Sequence, residues 1–304
     1  MDANRASEAS PATGAHPRPT DAHKGSSGRV LVIAGSRAMP GAAALAVEAA
    51  YRGGCGYVLA ACPGAVVPAL VAAVPGAVLR PCGGAAQEIF LAEDADLLLA
   101  AAAEADAVVL GPGWGPEAGV PWLADWLDAA QESLPEVRFV IDADALNRLA
   151  DTPEGLAVCG PNCVVTPHPG EAARLLELAD AAAVQADREA ALQALCASCE
   201  AVVLLKGNGT LVARAGGLPW RDHEAGPELA TAGSGDVLAG LLAALLARGV
   251  EPQSATRVAV TLHARAGARA AERHGHESVM AQDLVEEIGP QLEAWLTAGA
   301  EVPA

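Results

Sequence analysis

The loop Thr231-Ala-Gly-Ser-Gly-Asp236, followed by Val237-Leu-Ala-Gly240, holds the most informative chemistry in this chain. Gly233 and Gly235 carry no Cβ, so the backbone there can approach a ligand closely. An Ala/Leu-rich run beginning at Asp236 reads as a helix. Its free N–H groups and the positive end of its dipole point into the same loop, which makes a phosphate or oxyanion site. Asp236 has two readings on residue type. It is an N-cap, or it is a base held beside a phosphoryl group in transfer. The two glycines ahead of it favour the base.

Other loops carry groups that suit the same chemistry. In Lys206-Gly-Asn-Gly-Thr210 a lysine ends an apolar run. A cation there is costly unless paired or at the rim, and at the rim it can neutralise a nucleotide phosphate. The plainer reading is a hairpin with an exposed lysine. Asn208-Gly209 predicts a type I′ turn joining residues 202–206 to 210–214. In Thr166-Pro-His-Pro-Gly-Glu171, two prolines restrict the backbone around His168 and aim its imidazole. Glu171 reads as a first-turn acid of the next helix. Gly111-Pro-Gly-Trp-Gly115 allows tight backbone contact with a flat or phosphorylated ligand, or is a simple turn. In Asp142-Ala-Asp-Ala-Leu-Asn147 the two aspartates fall on one side of an extended chain. They could hold Mg²⁺ through water, or Asp144 could cap a short helix. Gly35-Ser-Arg-Ala-Met-Pro-Gly41, which runs on into Ala42, opens a helix but lacks the glycine spacing of a dinucleotide fingerprint. His16, His23, His223, His263, His274 and His276 show no metal-ligand spacing and read as surface or helix-packing residues.

Positioning these loops requires a scaffold. Short apolar runs at 30–34, 57–61, 107–110, 138–141, 163–166 and 201–206 predict strands buried on both faces. Helices are predicted at 41–52, 236–248, 254–274 and 281–288. The alternation predicts an α/β fold with a central, mostly parallel sheet, and ligands sit beyond the carboxyl ends of such strands. The hairpin at 206–210 predicts an antiparallel piece at the end of the sheet. Residues 1–18 read as a flexible tail and 19–304 as a single domain, with no interdomain linker.

Composition narrows the partners. Hydrophobic residues make up 52% of the 304, but aromatics only 3%, so Ala, Val and Leu must fill the core. A net charge of −18 argues against nucleic acid and anionic membranes. It also means that a phosphate site needs local cations or backbone amides. Seven cysteines at irregular spacing do not read as a disulfide framework, but as reduced core thiols in a cytoplasmic protein. Cys196 and Cys199 match a redox spacing, yet packing is the favoured reading. Residues 1–27 hold no apolar run of the signal-peptide kind, and the apolar run 237–247 is too short to span a bilayer.

In order, His23-Lys24-Gly25, Gly35-Ser36 with Pro40-Gly41-Ala42, Gly111 to Gly115, Asp142 to Asn147, Thr166 to Glu171, Lys206 to Thr210 and Ala230 to Gly240 resemble the motifs of the NAD(P)H-hydrate dehydratase family. The resemblance spans about residues 23–289. It implies a ribokinase-like three-layer α/β/α fold and an ADP- or ATP-dependent lyase. Such an enzyme returns the S-epimer of NADHX or NADPHX to NADH or NADPH, with Mg²⁺ as cofactor, and is expected to be a homo-oligomer. It implies that Ala42, Gly113 or Gly115, His168 and Asp236 contact the hydrated cofactor. Residues Lys206, Gly207, Asn208, Gly209, Thr210 and Gly235 would hold the adenine nucleotide. Asp236 would be the base, and the amides of Gly233, Ser234 and Gly235 would stabilise charge on the phosphoryl group. At 304 residues, the chain is expected not to carry the fused epimerase domain of some family members. Two departures stand out. Met39 replaces an aromatic, and Ala225-Gly-Pro-Glu-Leu229 replaces an Asn-Pro-Gly stretch, which puts Glu228 where like charge would oppose phosphate. An alcohol kinase of the same fold and a catalytically idle nucleotide-binding protein are the competing readings.

Overall fold

A computed structural model describes residues 17–299 and 301–303. The expected tail therefore falls almost wholly outside the described residues, as does His16. Nine strands form one sheet: β1 (Arg29–Ile33), β2 (Tyr57–Pro63), β3 (Val78–Cys82), β4 (Ala107–Leu110), β5 (Arg138–Ile141), β6 (Cys163–Val165), β7 (Val202–Leu205), β8 (Leu211–Ala213) and β9 (Trp220–Arg221). Their spatial order is β3-β2-β1-β4-β5-β6-β7-β8-β9. All pairings from β3 to β7 are parallel, while β7–β8 and β8–β9 are antiparallel. The helices are α1 (Pro40–Arg52), α2 (Val67–Ala73), α3 (Ala95–Ala102), α4 (Leu123–Ser133), α5 (Ala143–Leu149), α6 (Pro169–Leu175), α7 (Ala181–Ala186), α8 (Arg188–Ala197), α9 (Ser234–Ala247), α10 (Pro252–His274) and α11 (Ala281–Thr297).

Period-two alternation along each strand splits the core into two layers. Val30, Val32, Val109, Val140 and Val164 face α1, α2, α9, α10 and α11. Leu31, Ile33, Leu110, Phe139 and Val165 face the layer of α3 to α8. The fold is thus the expected three-layer α/β/α sandwich. Sequence patterning missed β3 and β9. β3 is an edge strand containing Arg80 and Pro81, where proline is tolerated because one side of the ladder has no partner. β9 is two residues long, too short to show alternation.

α9 is the central helix and is apolar all round, with eleven of its residues buried. It crosses α1 closely at Gly240, where an added Cβ would lie 2.1 Å from the Ala46 carbonyl oxygen. Gly240→Ala is therefore expected to lower stability by about 2–4 kcal/mol, because backbone and not a flexible side chain must move. Denaturant unfolding checks this; an unchanged midpoint would contradict the packing described.

Candidate active site

The glycine-rich and polar loops all sit at the carboxyl edge of the sheet, apart from His23-Lys24-Gly25. That segment precedes β1 at the opposite edge, where Gly56 packs against the Lys24 backbone. Its lysine lies over the Tyr57 ring at 5.6 Å.

The loop expected to meet an anion differs in register from the expected helix start at Asp236. α9 begins at Ser234, and Gly233 is its N-cap at φ +88°. A left-handed N-cap suits glycine, and an added Cβ would meet the Leu45 side chain at 2.6 Å. Asp236 is consequently the third helical residue and not the cap. Its carboxylate stays on the loop side, with Oδ2 3.8 Å from the Cβ position of Gly233. The Cβ position of Gly235 lies 3.5 Å from Lys206 Nζ and 3.9 Å from Asp142 Oδ2. The first turn of α9 and the Lys206 head group thus share one space.

Lys206 leaves the end of β7 and donates to Asp142 Oδ1 at 2.7 Å, with Glu171 Oε2 at 3.8 Å. Thr166 Oγ1 also donates to Asp142 Oδ1. Burial works against the Lys206 ammonium, but Asp142 and Glu171, with Asp236 behind them, raise its pKa above that of an ordinary lysine. Asp142 and Asp144 do not share a face as expected. Ala143 between them adopts φ +50°, which ends the extended run. Asp142 therefore turns to Lys206 and Thr166, while Asp144 accepts from the Gly115 N–H at 2.8 Å.

His168 is the N-cap of α6. Its Nδ1 accepts from the Gly170 and Glu171 amides, and its Nε2 lies 3.2 Å from Glu171 Oε1. Glu171 in turn accepts from the His168 N–H at 2.8 Å, which completes a capping box. Burial and the Lys206 charge hold the imidazole below its ordinary pKa. Glu171 is only 5% exposed, and burial pushes its pKa up to about 7, with Lys206 opposing. Glu171 is the expected first-turn acid of α6, and only the fold brings Lys206 to it.

Gly113 and Gly115 have φ of +64° and +84°, and Gly113 packs against Ala42, whose Cβ would lie 2.7 Å from an added Cβ. Gly35 donates to the Pro112 carbonyl at 2.8 Å, which clasps this loop to the one before α1. Buried Trp114 pins it from below by donating to the Ile33 carbonyl.

The hairpin after Lys206 exists, but not as a two-residue type I′ turn. β7 and β8 pair at Leu205↔Leu211, leaving a five-residue connection. Lys206 donates its N–H to Pro167 instead of continuing the ladder. Arg188 fills the loop, donating to the carbonyls of Leu205, Lys206 and Gly209. Nothing in the local sequence marks Arg188, which lies 18 residues from Lys206.

Asp236 is the other strongly perturbed carboxylate. Burial and Asp142 raise its pKa to about 7, with Lys206 opposing. Both Asp236 and Glu171 are thus raised, so the sign of their stability contribution is fixed. It is present below pH 4 and fades as pH climbs through about 7. We expect Asp236→Asn to gain stability relative to the parent, by on the order of 2 kcal/mol more at pH 8 than at pH 5. Thermal unfolding at the two pH values checks this, and an equal shift at both would contradict it.

The departures have plain structural settings. Glu228 is buried, and its Oε2 is bonded to His276 Nδ1 at 3.0 Å, so its charge faces an imidazole. Met39 is 37% exposed, with Cε 3.5 Å from the Cβ position of Gly115. Six of the seven cysteines are buried and all are free thiols; burial pushes the Cys196 and Cys199 thiols up to about 12 and 11. That favours packing over redox use. His263, expected to pack within a helix, is buried on α10, with Nε2 3.3 Å from Ser234 Oγ. Among the described residues, no His/Cys/Asp/Glu group is arranged to hold a metal ion, and no helix is long and apolar enough to cross a membrane.

Comparisons with known proteins agree with this layout. The sequence profile of the NAD(P)H-hydrate dehydratase family matches residues 30–290. The ADP-dependent (S)-NAD(P)H-hydrate dehydratase of Neisseria meningitidis is 39% identical over 283 residues, covering 92% of this chain and 88% of that protein. The bifunctional NAD(P)H-hydrate repair enzyme of Moorella thermoacetica is 37% identical, covering 88% of this chain; the chain spans about half, 50%, of its length. Among solved structures, the ADP/ATP-dependent NAD(P)H-hydrate dehydratase of Bacillus subtilis, co-crystallised with ATP/Mg²⁺, superposes with a TM-score of 0.72 at 25% identity. That match covers 92% of this chain and 94% of that one. With a ribokinase-like sheet, the ordered loops along its carboxyl edge and relatives that match most of its length, the chain belongs to the NAD(P)H-hydrate dehydratase family.

Proposed function

We propose that this protein dehydrates the S-epimer of NADHX or NADPHX at the expense of ADP or ATP, restoring the reduced nicotinamide cofactor. The observation that carries the reading is one cluster. Lys206 lies between Asp142 and Glu171, beside the first turn of α9 and the raised Asp236 carboxylate, with His168 bonded to Glu171. A base whose pKa is about 7 is poised to accept and release a proton near neutrality.

In this reading Ala42, Gly113, Gly115 and His168 seat the hydrated ring. Lys206 to Thr210 and Gly235 hold the nucleotide. Asp236 takes the proton of the ring hydroxyl as its oxygen attacks the terminal phosphoryl group. The amides of Gly233, Ser234 and Gly235 receive the charge that develops on that group. The shortened nucleotide leaves. The ring nitrogen lone pair then expels phosphate, a proton leaves the adjacent ring carbon, and the dihydropyridine is restored. Mg²⁺ would arrive on the nucleotide phosphates with its own waters. Among the described residues, no side chains form a cage for a free ion. The reduced thiols suit a cytoplasmic setting, and the family resemblance supports a homo-oligomer.

The test is a spectrophotometric assay on S-NADHX with Mg²⁺, run in parallel with ADP and ATP. Formation of reduced nicotinamide only when nucleotide is present is the expected result. No product with either nucleotide would leave family membership but remove the activity.

A further inference from the structure

α10 is lined with buried Ala, Val and Leu, and it also buries His263, which is 5% exposed. Placing an imidazole there is unfavourable unless a polar partner meets it. The partner is Ser234, 7% exposed, whose Oγ lies 3.3 Å from His263 Nε2 across 29 residues of sequence. Ser234 is the first helical residue of α9, between the N-cap Gly233 and Gly235. These three residues supply the amides assigned above to the phosphoryl group. A glycine on each side of Ser234 leaves the turn with little side-chain packing of its own to fix its height against the cleft.

We infer that His263 is a positioning residue for the anion hole. Through the Ser234 hydroxyl it anchors the first turn of α9, so that the amides of residues 233–235 stay aimed at the phosphoryl group. Three observations support this. The contact joins two buried side chains, so water does not compete for it. Burial pushes the His263 pKa down to about 4, opposed by a hydrogen bond to the Ser234 backbone and aided by the Lys206 charge, so the imidazole stays neutral and adds no charge to the anion site at working pH. And the contact is made by Nε2, the ring atom farther from the backbone, so it depends on the reach of the side chain and not merely on its polarity.

That last point yields the discriminating experiment. Glutamine places an amide near the Nε2 position of histidine, whereas asparagine reaches only as far as Nδ1. The inference rests on the proposed dehydratase reading, so two readouts are used: steady-state turnover of S-NADHX, and affinity for AMP with orthovanadate as a mimic of the phosphoryl group leaving ADP. His263→Ala and His263→Asn are expected to lower kcat and weaken vanadate binding about tenfold, with KM for the hydrate changing less than about twofold. His263→Gln is expected to restore both. Ser234→Ala should match His263→Ala, and the double variant should be no worse than either single one. If His263→Ala does not fold, the Gln–Asn comparison and Ser234→Ala decide the matter. Equal losses in Gln and Asn that track the melting temperature, or multiplying losses in the double variant, would overturn the inference. If the parent turns over no hydrate yet vanadate binding follows the expected pattern, the functional reading fails and the positioning role stands.

Discussion

Asp236→Asn is expected to lower turnover by about 10³-fold or more while ADP binding is retained. The substitution preserves size and hydrogen-bonding shape, so the turn of α9 and its glycines are undisturbed. What disappears is the capacity to take a proton. The wild-type carboxyl group, with its pKa near 7, must be ionised to act, so activity should fall as pH drops through about 7. The residual rate of the variant should lose this limb. Normal turnover in the variant, or an unchanged acid limb, would remove Asp236 from the role of base.

Lys206→Ala has the second largest expected effect, and it divides between the two ligands. Lys206 stands 2.7 Å from Asp142 and 3.8 Å from Glu171, and its Nζ lies beside Gly235. Removing it takes a cation from the phosphate side in a chain of net charge −18. It also leaves two buried carboxylates facing each other without a counter-charge. Nucleotide affinity should fall about 10- to 100-fold, the range of one charge-assisted hydrogen bond of about 1.5–3 kcal/mol. The hydrate KM should change less. Stability should fall by about 3 kcal/mol, near the lower end for breaking a buried pair, because the lysine still reaches some solvent. Lys206 also holds the Asp236 pKa down, so the acid limb of the pH profile should move to higher pH in the variant. Equal losses for nucleotide and hydrate would contradict a phosphate contact.

Much of this site is legible in the sequence because its chemistry is local. Gly233, Gly235 and Asp236 mark a loop at a helix start that would suit an anion, and the apolar strands before the other loops place those along one sheet edge. What is not legible depends on contacts between distant segments. The Pro-His-Pro-Gly-Glu spacing contains a capping box, but only the fold brings Lys206 across from β7 to make Glu171 a buried neighbour. His263 reads as one more helical histidine until α10 lies beside α9. Asn208-Gly209 suggests a tight turn, but Lys206 bonds to Pro167 and Arg188 occupies the loop, so a wider connection results. Asp142 and Asp144 look like a pair until the left-handed Ala143 turns them apart.

The most direct test of the central claim is a product balance. Wild-type protein is incubated with S-NADHX, ADP and Mg²⁺, and phosphorus NMR is run alongside the absorbance of reduced nicotinamide. Equal amounts of orthophosphate, AMP and reduced cofactor are expected. A phosphorylated hydrate that persists, with no reduced cofactor formed, would mean a kinase instead of a dehydratase.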